Sequence, residues 1–225
     1  MIVRRLRRWA RGHTRRRRYS PVGVAFHWTV ATLVFFQLAW GWRTGRLPAG
    51  YDKVEAYVIH GQVGFLLLGL TLLRMAWRLA VPGPINDADK PGWQSTAAHV
   101  THGLLYACLL ILPLSGWAML AATAPDLAER ASGAMPWPAL PLQDLRPVQR
   151  WTLELWSERI HFGAVILLLV LLPLHIAATA QHHVLHRHDV LEGMLPGLTR
   201  TERRILKALR RKPRRSRSPR PSSAG

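Results

Sequence analysis

Cysteine is nearly absent from this chain of 225 residues, which contains only Cys108. A single cysteine cannot form an intrachain disulfide. It also excludes a four-cysteine iron–sulfur cluster and the Cys-x-x-Cys-His motif of covalent haem attachment. Any metal cofactor must therefore be held by other side chains and by non-covalent contacts. Histidine, with 11 copies, is the abundant candidate.

Acidic residues are also scarce, with 12 Asp and Glu against 31 Lys and Arg. None occurs in four long apolar segments, residues 22–42, 57–81, 91–125 and 160–181. Each segment is long enough to cross about 30 Å of hydrocarbon as a helix. Because none alternates as a strand does, and lipid requires the backbone to satisfy its own hydrogen bonds, helices are expected. The sequence predicts an all-α integral membrane protein, a four-helix bundle.

The basic residues concentrate at the two ends of the chain. Residues 1–20 contain nine arginines and no acid, and residues 182–225 contain twelve Lys and Arg against three acids. An even number of spans places both termini on one side, which the positive-inside rule makes cytoplasmic. We predict a basic cytoplasmic segment at 1–20, a membrane domain at 21–197 and a basic, largely disordered cytoplasmic tail at 198–225.

The formal net charge of +19 would suggest nucleic-acid binding in a soluble protein. Here the membrane topology accounts for the basic tails, which lack interleaved aromatic residues apart from Trp9 and Tyr19. We therefore predict contact with anionic membrane lipid and no nucleic-acid partner. The segment 124–159 is rich in proline and tryptophan, which predicts a structured surface element on the opposite side of the membrane.

Four histidines lie within the apolar segments at two depths. His27 and His175 lie near the cytoplasmic face, and His60 and His161 lie near the opposite face. His161 and His175 are fourteen residues apart, close to four helical turns, so both point to one side of their helix about 21 Å apart. A histidine in hydrocarbon is costly unless it faces the bundle interior and has a partner. The pattern predicts two axial pairs for two b-type haems.

A fifth histidine leaves one alternative open. His102 lies at the depth of His27 and His175, so depth alone does not exclude it as an axial ligand there. Its other role would be a hydrogen bond in the core. Small residues near the paired histidines, such as Gly61, Gly64 and Gly163, would suit either a flat macrocycle or close helix packing.

Several segments resemble the prokaryotic cytochrome b561 family. They are RYSPVGVAFHW, HGQVGFLLLGLTLLRMAWRL, HGLLYACLLILPLSGW and HFGAVILLLVLLPLHIAATAQHH, the last ending near MLPG. They occur in order and cover about residues 19–197. The resemblance implies a four-helix cytochrome of the bacterial inner membrane that holds two haem b groups and exchanges electrons with quinone. By motif position, the family's ligands fall on His27, His60, His161 and His175.

Three further residues are candidates for cofactor contacts. His182 and His183 lie where the last span leaves the membrane on the cytoplasmic side, where they would either bond a quinone carbonyl or a haem propionate or simply lie at the membrane interface. Arg74 interrupts the second span near the same face, and its guanidinium suits a propionate or a quinone site. For Arg78, one turn further out, we expect the side chain to reach lipid phosphate.

The predicted function is electron transfer between a periplasmic donor and the quinone pool. The donor is unknown, although some family members resemble a superoxide oxidase that feeds quinone. One alternative is the cytochrome b subunit of a larger membrane oxidoreductase, such as a hydrogenase-type complex, with a partner subunit. A second is a histidine-based metal-ion transporter, which the lack of Asp and Glu in the four spans disfavours.

Overall fold

The computed structural model describes residues 19–81, 92–132, 140, 142 and 144–184, and Arg5 and Trp9 singly; the side chains of residues 132 and 182–184 are not described. Within these residues the fold is all-α, as predicted. The helices are α1 (Pro21–Arg46), α2 (Tyr51–Ala80), α3 (Gly92–Thr123), α4 (Pro125–Ser132) and α5 (Pro147–Val184). The predicted terminal segments 1–20 and 198–225 lie largely outside the described residues.

Four of these helices, α1, α2, α3 and α5, are long and apolar enough to cross a membrane. We call the side where α1 begins and α5 ends the inner side, and the opposite side the outer side. Two helices start well before their apolar segments, α2 at Tyr51 and α5 at Pro147. The length of an apolar run is set by the thickness of the hydrocarbon layer. Backbone hydrogen bonds, in contrast, can continue a helix beyond that layer into polar surroundings. The apolar runs therefore predicted the spans but not the helix ends.

Ser20 starts α1 and joins its inner end to α2. Its hydroxyl oxygen accepts hydrogen bonds from the Gly23 backbone nitrogen at 3.2 Å and from the Trp77 indole nitrogen at 3.0 Å. Pro21 follows as the first helical residue, where the missing N–H costs nothing because that donor has no partner within the helix. The α1 entry point is thereby held against the inner end of α2.

One apolar core connects the four spanning helices. Helix α3 packs most extensively against α5, and α2 packs against both α1 and α3. The buried core residues come from all four spanning helices: Val30, Val34, Leu67, Cys108, Leu168 and Leu171. In each of α1, α2 and α5 they lie along the chain between the inner and outer ends of the span. The core therefore separates the predicted histidine level at one face from that at the other.

The outer connection between α3 and α5 contains a short helix, in agreement with the structured element that was predicted there. Helix α4 packs against α2 and α3. Arg130 of α4 forms a salt bridge with Glu55 of α2, and the Gln62 amide nitrogen donates to the Arg130 carbonyl oxygen at 3.4 Å. Gly61 permits this contact, because a Cβ atom there would lie 2.6 Å from the Cβ of Ala131.

We expect Gly61→Ala to destabilise the fold, because overpacking a contact costs about 1–3 kcal/mol, more than the roughly 1 kcal/mol that alanine adds as a helix former. The measurement is the free energy of unfolding in detergent. Gly69→Ala in the same helix is the matched control, since no atom in the described part of the chain lies within 4 Å of its added Cβ. Equal unfolding free energies for the two variants would show that α4 does not pack tightly here.

Candidate functional site

The inner level brings together three histidines. The ring centroids of His27 on α1 and His175 on α5 lie 6.4 Å apart. His102 on α3 approaches the same His175 ring more closely, with a centroid distance of 5.3 Å. Thr179, one turn after His175, donates its hydroxyl to the His175 carbonyl oxygen at 2.8 Å. The inner pair predicted from depth is thus assembled, and His102 lies beside it.

Arg74 of α2 contacts a histidine at this level. Its guanidinium donates to Nδ1 of His27 at 3.0 Å and lies 5.5 Å from the centre of the Tyr106 ring. A neutral His27 that accepts at Nδ1 carries its proton on Nε2, whereas an imidazole that binds metal through Nε2 carries it on Nδ1. Metal ligation by His27 therefore requires Arg74 to release the ring, which frees the guanidinium for a carboxylate.

The outer level contains the second predicted pair. The ring centroids of His60 on α2 and His161 on α5 lie 6.3 Å apart. Nδ1 of His161 lies 3.0 Å from the carbonyl oxygen of Leu112 and 3.2 Å from the hydroxyl of Ser115, both on α3. Because the carbonyl can only accept, Nδ1 of His161 donates to it, which leaves Nε2 free for a metal. This is the arrangement that a histidine ligand needs.

Two glycines that the sequence analysis did not select border these outer rings. A Cβ at Gly41 of α1 would lie 3.1 Å from Cε1 of His60. A Cβ at Gly116 of α3 would lie 3.3 Å from Cε1 of His161. Each imidazole therefore occupies space that a larger residue would need. Their signal in the sequence is weak, because glycine in a membrane helix more often permits close helix packing.

Gly61, Gly64 and Gly163, the glycines that the sequence suggested beside the histidines, do not border the histidine rings in this way. A Cβ at Gly61 would meet α4, and one at Gly64 would lie 3.4 Å from the Gln37 amide nitrogen of α1. These contacts favour the helix-packing interpretation for both. No atom of the described residues lies within 4 Å of a Cβ built at Gly163.

The remaining candidate residues lie on α2, α3 and α5. Arg78 places its guanidinium 5.9 Å from the centre of the Tyr19 ring. His182 and His183 belong to the last turn of α5, but their side chains lie outside the described residues. His99 is exposed on α3, where its Nδ1 lies 2.7 Å from the Ser95 carbonyl oxygen.

Comparison with known proteins decides the family. The family model described as "Prokaryotic cytochrome b561" matches residues 18–197 of this chain. The chain belongs to the prokaryotic cytochrome b561 family. It is 28% identical to cytochrome b561 homolog 2 of Escherichia coli (strain K12) over 79% of this chain and 91% of that protein. It is 24% identical to cytochrome b561 homolog 1 of the same strain, over 80% and 97% respectively.

A third relative is named a cytochrome b as well. Cytochrome b562 of Cereibacter sphaeroides is 30% identical over 44% of this chain and 63% of its own length. Family membership and the four apolar spans make this chain a multi-pass b-type cytochrome of the bacterial inner membrane, which binds haem b and acts in electron transfer. The resemblance inferred from the sequence motifs is thereby confirmed, and a metal-ion transporter is not what the family indicates.

The two histidine pairs of this cytochrome fit a metal between them. An imidazole–metal bond is about 2 Å long, so ligands on opposite faces of one iron hold their nitrogens about 4 Å apart. The centroid of each imidazole ring lies slightly less than one covalent bond length from the ligating nitrogen, on the side away from the metal. The observed centroid distances of 6.4 and 6.3 Å agree with the sum of the nitrogen–nitrogen distance and the two ring offsets. The 5.3 Å between His102 and His175 is too short for such a pair.

Proposed function

We propose that this cytochrome binds two haem b groups, one at each level of the bundle. His27 and His175 are the axial ligands at the inner level, and His60 and His161 are those at the outer level. The observation that carries the proposal is that both pairs, from three different helices, have the ring separation that an iron between them requires.

The chain would connect an electron donor at the outer, periplasmic side with the quinone pool. A bis-histidine haem supplies a one-electron centre whose iron has no open position for a substrate. Helix α5 contributes one histidine to each level, about 21 Å apart for fourteen residues of helix, and the apolar core separates the levels. These residues therefore hold two redox centres at different depths and exclude water between them. Superoxide is one donor to test at the outer side.

The first test is the haem stoichiometry. Because each level offers its own pair of imidazoles, the purified chain should bind two non-covalent haems. A pyridine haemochrome assay combined with a protein determination measures this ratio. One haem per chain in fully loaded protein would remove one of the two pairs from the proposal.

Arg74 has a separate role in the proposed inner site. It contacts Nδ1 of His27, and ligation of a metal through Nε2 of His27 would free its guanidinium. A haem propionate is a carboxylate, which accepts charge-assisted hydrogen bonds from guanidinium. We therefore assign Arg74 to a propionate of the inner haem, with Tyr106 beneath the guanidinium as a cation–π partner.

Quinone is proposed to bind at the inner side. His182 and His183 stand at the end of α5, two turns beyond His175, and offer imidazoles that can bond a quinone carbonyl. At the described outer level, the Ser115 hydroxyl contacts His161 and the Gln37 amide nitrogen bonds the His60 carbonyl oxygen. Electrons would then enter at the outer side and leave at the inner side.

Replacing His182 and His183 together with alanine should slow reoxidation of the reduced cytochrome by a soluble quinone analogue. The loss of one or two hydrogen bonds, at about 1 kcal/mol each, corresponds to a roughly 5–30-fold lower rate at subsaturating quinone. Stopped-flow absorbance follows this reaction. Both haem spectra should stay intact, and His99→Ala is the control. Unchanged kinetics in the double variant would place quinone at the outer level instead.

A further inference from the structure

Helix α1 lies directly against the segment of α2 that presents His60. The Trp40 indole nitrogen donates to the Ala56 carbonyl oxygen at 3.0 Å. One turn earlier, the Gln37 amide nitrogen donates to the carbonyl oxygen of His60 itself at 2.8 Å. Gly41 keeps the space beside the ring open, since a Cβ there would lie 3.1 Å from Cε1 of His60 and 3.5 Å from its Nδ1.

Two buried polar atoms in this contact have no hydrogen-bond partner within the described part of the chain. They are Oε1 of Gln37 and Nδ1 of His60. The carbonyl of His60 can only accept, so the amide nitrogen of Gln37 must face it, and the free atom of Gln37 is its acceptor oxygen. A buried acceptor without a donor costs free energy, as does a buried donor without an acceptor.

The usual acceptor for a histidine Nδ1 in a helix is not available to His60. That acceptor is the carbonyl one turn earlier, at Ala56, which already receives the backbone N–H of the helix and the Trp40 indole. His161, its partner across the outer level, has instead the Leu112 carbonyl of a neighbouring helix. On the side of His60, the amide oxygen of Gln37 is a buried acceptor without a partner among the described residues.

We propose that Gln37 is a positioning residue for His60, with its Oε1 accepting the Nδ1–H of His60 when Nε2 binds the outer haem iron. This inference rests on the outer haem site of the proposed function. The amide would fix the tautomer and the orientation of the ring. It would also make the imidazole a stronger electron donor, which favours oxidised iron and lowers the reduction potential of the outer haem.

The test compares Gln37→Met and Gln37→Glu in the full-length purified cytochrome. Methionine has nearly the same length without an acceptor oxygen, whereas glutamate keeps the acceptor. Gln62→Met is the matched control, because Gln62 follows His60 on α2 but bonds the α4 backbone at an exposed position. The measurements are haem content and potentiometric titration of both haems, which report on the ligand rather than on turnover.

Gln37→Met should raise the potential of the outer haem alone, by about 59 mV for a tenfold change in the relative stability of the reduced form. Gln37→Glu should leave that potential at or below the native value, and Gln62→Met should change neither. If methionine at position 37 costs the outer haem, retention of that haem by the glutamate variant supports the proposal. Loss of the outer haem from both variants would show that Gln37 has a packing role only and would overturn the proposal.

Two other results would overturn the proposal. One is an unchanged outer potential in Gln37→Met with both haems bound, and the other is a shift of the same sign in the methionine and glutamate variants. His60→Ala separates this failure from that of the proposed function. If His60→Ala retains two haems, the outer site itself is wrong. If it loses one haem while the Gln37 variants titrate as the native protein does, only the role of Gln37 fails.

Discussion

His60→Ala and His161→Ala should each leave the cytochrome with one haem in place of two. The substitution removes an axial bond and leaves the opposite imidazole without its metal in a low-dielectric site, which is unfavourable in hydrocarbon. Because the apolar core separates the two levels, the inner haem should be retained. Reduced-minus-oxidised spectra and the pyridine haemochrome assay would show loss of about half of the haem absorbance for one site of two.

The reciprocal variants, His27→Ala and His175→Ala, should lose the inner haem and keep the outer one. His102→Ala is the informative control at that level, because its ring is closer to His175 than the ring of His27 is. We expect it to retain both haems. Loss of a haem from His102→Ala, with retention in His27→Ala, would replace His27 by His102 as the inner ligand.

Leucine at Gly41 or Gly116 should abolish the outer haem while all four histidines remain. The first added carbon would already lie 3.1 Å from the His60 ring or 3.3 Å from the His161 ring. Three further carbons cannot be accommodated without displacing the imidazole, because packed interiors do not yield by that volume. Haem content should fall by half, as in His60→Ala, and alanine at these positions should have a smaller effect.

Gly45→Leu and Gly69→Leu provide matched controls for these steric variants. Gly45 lies one turn after Gly41 on α1, Gly69 lies on α2, and no atom that the structure describes lies within 4 Å of a Cβ built at either position. Both controls should keep two haems. A normal outer haem in Gly41→Leu and Gly116→Leu would mean that the rings occupy different positions in the loaded protein.

The membrane fold followed directly from composition and segment length. Four apolar runs free of Asp and Glu require helices in lipid, and that constraint is local to each run, so it needs no knowledge of neighbours. The same holds for the spacing of His161 and His175, which helical geometry alone converts into two depths. The apolar runs did not predict where α2 and α5 begin, because those helix ends lie in polar surroundings, and the structured element predicted at 124–159 did not specify α4 as a separate helix.

Which side chains meet across helices was decided only by the tertiary structure. Depth could not rank His27 above His102, because depth carries no information on the rotation of one helix relative to another. The ring distances to His175, 6.4 Å from His27 and 5.3 Å from His102, depend on that rotation. Gln37, Ser115 and Gly116 escaped the sequence analysis for the same reason, since a lone amide, hydroxyl or glycine in an apolar run gains meaning only from the ring packed against it. Composition and period determine each helix separately, whereas the contacts that orient a ligand arise from the docking of one helix on another.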